Sequence, residues 1–129
     1  MGIVGIGTDI VEIARLESAI DRHGESFLRQ YLTEEELALL PELPQRRREF
    51  LAGRWAAKEA VAKALGCGFG AQCAWRDIRI LRGEQGAPYV ELAGAAAKTA
   101  KALGVCGWHL SISHEMAYAV AFAVAETQS

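Results

Sequence analysis

The sequence has only three cysteines, Cys67, Cys73 and Cys106, and no C-x-x-C pair. An odd, scattered set supports neither a disulfide framework nor a zinc cluster, and it suits a reducing compartment. No excess of positive charge is present: 14 Lys and Arg stand against 16 Asp and Glu, for a formal net charge of −2. A protein whose main partner is nucleic acid usually carries a clearly basic domain, so no nucleic-acid partner is expected. No apolar run is long enough to span a bilayer, so no membrane segment is expected. The apolar N-terminal stretch is broken by Asp9 and Glu12 and lacks a basic leader, so it does not read as a signal peptide and the expected location is cytoplasmic. There is no Walker motif, no G-x-S-x-G, no H-E-x-x-H and no dinucleotide fingerprint; Gly5-Ile6-Gly7 lies inside a strand and lacks the third glycine. Repeats, linkers and low-complexity tracts are also missing.

What remains is globular. The chain has 129 residues, 51% hydrophobic and 23% charged. That fits a single domain over residues 1–129 that buries a substantial core. Ile3 to Ile10 reads as a β-branched strand, and Val11 to His23 has helical spacing stopped by Gly24. Glu25 to Leu32 reads as a second helix, and Thr33 with Glu36 forms a capping box for a third short one. Pro44 opens a long helix that Gly66 ends. After a glycine-rich loop, Trp75 to Leu81 and Pro88 to Leu92 read as strands, Ala95 to Leu103 as a helix, and Trp108 to Ser113 with Met116 to Ala125 as a final hairpin. Hairpins without repeated βαβ units predict an α+β fold with a mainly antiparallel sheet packed on a long helix. The last strand alternates Met116, Tyr118, Val120, Phe122 and Val124 with five alanines. Both faces are apolar, so both should be covered. One face is expected to meet this chain's helices and the alanine face another helix or a second subunit; a wholly intramolecular core is the alternative.

Four places could carry chemistry. Asp9 shares a strand face with Gly5 and Gly7, which allow close approach of another backbone. A carboxylate there is either a cap or Asx turn at the strand–helix junction, or a ligand. Glu59 shares a helix face with Trp55, Ala62, Lys63 and Gly66; it is either half of an exposed i,i+4 pair with Lys63 or a functional acid. Arg54, Lys63 and the run Arg46-Arg47-Arg48 place cations on one helix beside a glycine loop, which is either a solvated face or a phosphate site. His114, at a hairpin end near Ser111 and Ser113, is either a turn residue or an anion contact. From the residues alone these alternatives stay open. The furthest claim they carry is that two acids distant in sequence could share a hard cation.

Three segments together resemble a known family. Gly5-Ile6-Gly7-Thr8-Asp9-Ile10 is similar to a G-[IV]-G-x-D-[IL] opening, and Phe50-Leu51-Ala52-Gly53-Arg54-Trp55-Ala56-Ala57-Lys58-Glu59-Ala60 to an F-x-x-x-R-[WF]-[AC]-x-K-E-[AS] signature. Leu110-Ser111-Ile112-Ser113-His114 is similar to a closing [LV]-S-[IL]-[ST]-H. In this order and spacing they resemble the small bacterial phosphopantetheinyl transferases, the holo-[acyl-carrier-protein] synthase family. The resemblance implies an α+β homotrimer with active sites between subunits, acting in fatty-acid biosynthesis, on a polyketide carrier, or on both. It implies transfer of 4′-phosphopantetheine from coenzyme A to a serine of apo acyl carrier protein, with release of adenosine 3′,5′-bisphosphate. Asp9 and Glu59 would hold Mg²⁺ or Mn²⁺, and Lys63 would approach the diphosphate. Arg54 and His114 would take the 3′-phosphate end, with Gly66, Pro88 and Ser113 completing the nucleotide contacts. The serine proton would go to Glu59 or a metal-bound water. Arg15 and Arg22 on the first helix would meet the acidic carrier, among the diluting charges of Glu12, Glu17 and Asp21. Ala87 stands where many members carry Lys or Arg. The competing readings are another coenzyme A-dependent acyltransferase and a non-catalytic trimeric carrier-binding module.

Overall fold

The computed structural model describes residues 1–128. The chain runs β1 (Gly2–Glu12), α1 (Ile13–His23), α2 (Glu25–Tyr31), α3 (Glu34–Leu37), α4 (Pro44–Ala64), β2 (Ile78–Arg82), β3 (Pro88–Leu92), α5 (Gly94–Ala102), β4 (Gly107–His114) and β5 (Tyr118–Thr127). One sheet has the order β1-β5-β4 and the other is the β2-β3 hairpin, with antiparallel pairing throughout. This is the α+β architecture the hairpin pattern predicts.

The helix signals act as expected. Pro44 occupies the first turn of α4, and Gly24, at φ 69°, stops α1. Thr33 and Glu36 form the reciprocal capping box of α3. Three boundaries differ most: β1 runs on through Glu12 so that α1 starts at Ile13, not Val11, β5 starts at Tyr118, not Met116, and Trp75–Asp77 is a 3₁₀ turn after which the strand starts only at Ile78. The Asp77 carboxylate accepts from the Ala74 and Ala96 amides, 3.3 Å each, and so ties this turn to the start of α5. That local hydrogen bonding competes with a ladder.

α4 lies across the three-stranded sheet, and glycines and alanines set how close it comes. A Cβ on Gly5 would lie 1.9 Å from the Ala64 carbonyl oxygen, and one on Gly7 1.8 Å from that of Ala60. No side chain fits there, so β1 meets the helix backbone to backbone. Ala119, Ala121, Ala123 and Ala125 of β5 are fully buried in the same layer. The face with alanines therefore packs on the chain's own long helix: of its two expected partners, a helix or a second subunit, it takes the helix. The face left open is the bulky one. Ile6 (53% exposed), Ile10 (65%) and Phe122 (47%) stand out with Tyr118 and Val120. Small side chains permit the close helix contact; the large ones would hold α4 away.

Candidate active site

Asp9 is delivered by this close packing. It shares the inner face of β1 with Gly5 and Gly7, one strand repeat beyond the point where the sheet touches α4. It is not a helix cap: α1 begins after Glu12, without a side-chain cap bond. Lys63 crosses from α4 to β1 and donates to Asp9 Oδ1 at 3.2 Å and to the Thr8 carbonyl at 3.0 Å. The lysine thus spans two elements, in place of the exposed helical pair with Glu59 that its spacing permits. Glu59 lies near enough to feel both charges. Partial burial is the main reason its proton affinity is raised, the Asp9 carboxylate adds to it, and Lys63 opposes it. Two half-buried carboxylates that repel each other, with one ammonium alongside, form a cluster with unmet demand for positive charge.

A second site opens elsewhere along α4. A cleft of about 570 Å³ is lined by Arg46, Arg54, Arg82, Glu49, Phe50, Gly86, Pro88, Ile112 and His114, among others. Arg54 is held firmly: its Nε donates to the Ile80 carbonyl at 3.1 Å, and its guanidinium lies 4.2 Å over the Phe50 ring. Burial lowers its pKa to about 10, so it stays charged at neutral pH. His114 Nδ1 is 3.4 Å from Glu49 Oε2. Several cations around a roomy, polar cleft suit a phosphorylated ligand.

Thus Asp9, Glu59 and Lys63 come together, as do Arg54, Pro88 and His114, but the two groups do not share a pocket. Arg54 and Glu59 are five residues apart on α4, which turns them about 140° around its axis. β1 and β4, which carry Asp9 and His114, are the opposite edges of the sheet. Gly66 ends α4 with φ 76° and Ser113 pairs with Val120 on β5; neither lines the cationic cleft. The arginine run divides three ways. Arg46 lines the cleft, Arg47 faces the groove between α1 and α4, and Arg48 pairs with Glu17 at 3.5 Å. That last pair removes one of the acids diluting α1. Arg15 and Arg22 are exposed, and among the described residues neither makes an ion pair.

Sequence reasoning missed Arg82. Register gives it away: Arg82 pairs with Pro88 at the mouth of the β2–β3 turn, so any ligand touching one is within reach of the other. It also missed the buried pair Glu36–Lys58, 2.7 Å apart, because a lysine beside a motif glutamate reads as surface charge.

The profile of the 4′-phosphopantetheinyl transferase superfamily matches residues 5–123. The chain belongs to that superfamily. A holo-[acyl-carrier-protein] synthase of Hydrogenovibrio crunogenus is 46% identical over 127 residues, 98% of this chain and 99% of that protein. The crystal structure of the Neisseria meningitidis holo-[acyl-carrier-protein] synthase superposes with a TM-score of 0.89 at 37% identity, covering 98% of this chain and all of that one. The Helicobacter pylori synthase, solved in complex with coenzyme A, superposes with a TM-score of 0.82 at 32% identity, covering 94% of this chain and 99% of that one. Membership in this superfamily spans almost the whole fold just described, both α4 sites included. Among the described residues, no helix is long and apolar enough to cross a membrane.

Proposed function

We propose that Asp9, Glu59 and Lys63 form the reacting centre of a holo-[acyl-carrier-protein] synthase, and that the cationic cleft holds the adenosine 3′-phosphate end of coenzyme A. The enzyme moves 4′-phosphopantetheine from coenzyme A to a serine of apo acyl carrier protein. The observation that carries the residue assignment is the apposition of Asp9 and Glu59, held by the glycine contact of β1 with α4.

Two carboxylates with no third protein ligand suit Mg²⁺ or Mn²⁺, ions that commonly take one or two carboxylates and complete their shell with substrate phosphate and water. When bound, the cation neutralises charge on the diphosphate and the leaving oxygens. Lys63 adds a second positive charge beside Asp9 and orients the diphosphate. The serine hydroxyl attacks the β-phosphorus, the bridging P–O bond breaks, and adenosine 3′,5′-bisphosphate leaves. The serine proton would go to Glu59, directly or through a water beside it. At the other end, Arg54, Arg82 and His114 grip the 3′-phosphate. Arg82 supplies at the base of the turn the cation that Ala87 lacks.

The two groups flank α4 on different sides, which favours a site completed by a neighbouring subunit. The uncovered face of Ile6, Ile10, Tyr118, Val120 and Phe122 is the surface for that assembly, and a homotrimer closes it. Gly66 and Ser113, off the cleft in one chain, act at that junction. Exposed Arg15 and Arg22 meet the acidic carrier. The setting of this reading is the cytoplasm, with a carrier of fatty-acid or polyketide synthesis.

The test is a mass measurement. Apo carrier incubated with coenzyme A, Mg²⁺ and the enzyme should gain one phosphopantetheine, and the gain should vanish with EDTA. Chelator-insensitive acyl transfer, or binding without any adduct, would overturn the proposal.

A further inference from the structure

We propose that the buried Glu36–Lys58 pair is a positioning device that locks the β2–β3 hairpin, and with it Arg82 and Pro88, onto the cationic cleft. The inference rests on the reading of that cleft as the coenzyme A site.

Both side chains are 0% exposed. Buried ions need several partners, and each of these has them. Glu36 Oε1 accepts from Lys58 Nζ at 2.7 Å, from the Thr33 amide at 2.9 Å and from the Thr33 hydroxyl at 3.2 Å. Its other oxygen, Oε2, accepts from the Ile80 amide at 2.8 Å. Lys58 also donates to the Tyr31 carbonyl and, at 3.1 Å, to the Trp75 carbonyl. One ion pair thereby joins the end of α2, the cap of α3, the middle of α4, the 3₁₀ turn and β2.

Ile80 is where this reaches the ligand site. Its amide goes to Glu36 and its carbonyl to Arg54 Nε, so the outer edge of β2 has a side-chain partner for both groups. In the β2–β3 ladder Ile80 opposes Val90, and two residues on Arg82 opposes Pro88. A shift of the Ile80 backbone therefore moves Arg82, Pro88 and the bonded Arg54 together. None of these contacts touches Asp9 or Lys63, so the device acts on the nucleotide end alone.

A buried pair replaced by apolar groups of similar volume is often neutral for stability, whereas removing one partner leaves an uncompensated charge. The double variant Glu36→Leu/Lys58→Met is therefore the first test. It should fold, with a circular dichroism spectrum like the parent's. Its KM for coenzyme A should rise about tenfold, the effect of one misaligned charge-assisted contact. Its KM for apo carrier should change less than about twofold, a difference too small to count as a lost contact. In addition, Arg82→Ala should cost less in the double variant than in the parent, since a displaced hairpin no longer delivers that cation. The second variant, Glu36→Gln, keeps the shape but turns one amide NH₂ toward either Lys58 or the Ile80 amide, both donors. It should show the same split in KM. Unchanged coenzyme A KM in a folded variant, an equal rise in both KM values, or full additivity with Arg82→Ala would each overturn the device. If the parent protein itself transfers no phosphopantetheine in the same assay, the functional reading fails instead.

Discussion

The two flanks of α4 use one helix for opposite electrostatic ends. On the β1 side, where glycines bring the strand onto α4, Asp9 is near enough to add to the burial that raises the proton affinity of Glu59. On the β4 side, arginines and a histidine surround an open cleft, two of them steadied by neighbours: Arg54 by Ile80 and Phe50, His114 by Glu49. Despite Lys63 the first site is short of positive charge, and despite Glu49 the second is short of negative charge. A diphosphate with a divalent cation at one end and a phosphate monoester at the other answers both. The difference teaches that neither flank is a complete site, and each can be tested against the other.

The largest effect comes from the packing that makes the carboxylate flank. Gly7→Ala would put a methyl 1.8 Å from a backbone oxygen of α4. Backbone cannot turn aside, so the cost should exceed about 4 kcal/mol and soluble folded protein should be lost. Gly53→Ala on the cleft side meets only the Ile112 Cγ2 at 3.1 Å, a methyl that can shift. It should move Tm by no more than a few degrees, because the roughly 1 kcal/mol that Ala gains over Gly inside a helix offsets the contact, as read by thermal melts. Equal tolerance at both positions would break the comparison.

Next is assembly. Phe122→Lys places a charge on the open sheet face without touching either flank. If sites form between subunits, the variant should be folded, monomeric by light scattering and nearly inactive. Asp9→Asn should follow, with kcat down about 100-fold or more from loss of one charge at the phosphoryl centre. Binding of adenosine 3′,5′-bisphosphate to the cationic cleft should survive. Co-expressed with His114→Ala, it should regain activity, about one quarter of the parent's if chains assort at random in a trimer. No recovery would place both flanks in service of a single chain.

How much of this was legible beforehand varies by physical cause. Caps and turns are local, so Thr33–Glu36, Pro44 and Gly24 could be read directly. Asp9 and Glu59 stood out as acids in apolar settings, but only the fold brings β1 onto α4. Sequence alternation found two apolar faces on β5 and could not say which one the helix takes. The close approach demanded by Gly5 and Gly7 decides that for the alanines. Lys58 and Glu36 were opaque because helical lysines are usually solvated, and their partners lie on three other elements. The division of the arginine run follows from helical rotation, with about 100° separating successive side chains.

A smaller effect sharpens the cationic side. Arg82→Ala should raise the coenzyme A KM about tenfold with little change in kcat, as expected for one charge-assisted hydrogen bond. With 3′-dephospho-coenzyme A the same substitution should matter little, because the group it contacts is gone. An equal loss with both substrates would move Arg82 away from the 3′-phosphate.

The smallest effect is on stability and has an unusual sign. The folded state raises the proton affinity of Glu59, chiefly by burial and then by Asp9. Its ionised form is therefore penalised in the native protein at pH 8, where the unfolded chain ionises freely. The penalty fades as pH falls through the raised native value and is gone below the unfolded one. Glu59→Gln removes the charge, so without metal or coenzyme A the variant should melt slightly above the parent at pH 8, and the gap should close as the buffer is made acidic. Adding Mg²⁺ with coenzyme A should reverse the order, because a ligand that needs the carboxylate stabilises only the parent. Thermal melts at two pH values, with and without the pair of ligands, read all four states. A variant that melts lower than the parent in the unliganded state at pH 8 would mean that the native protein does not penalise ionised Glu59.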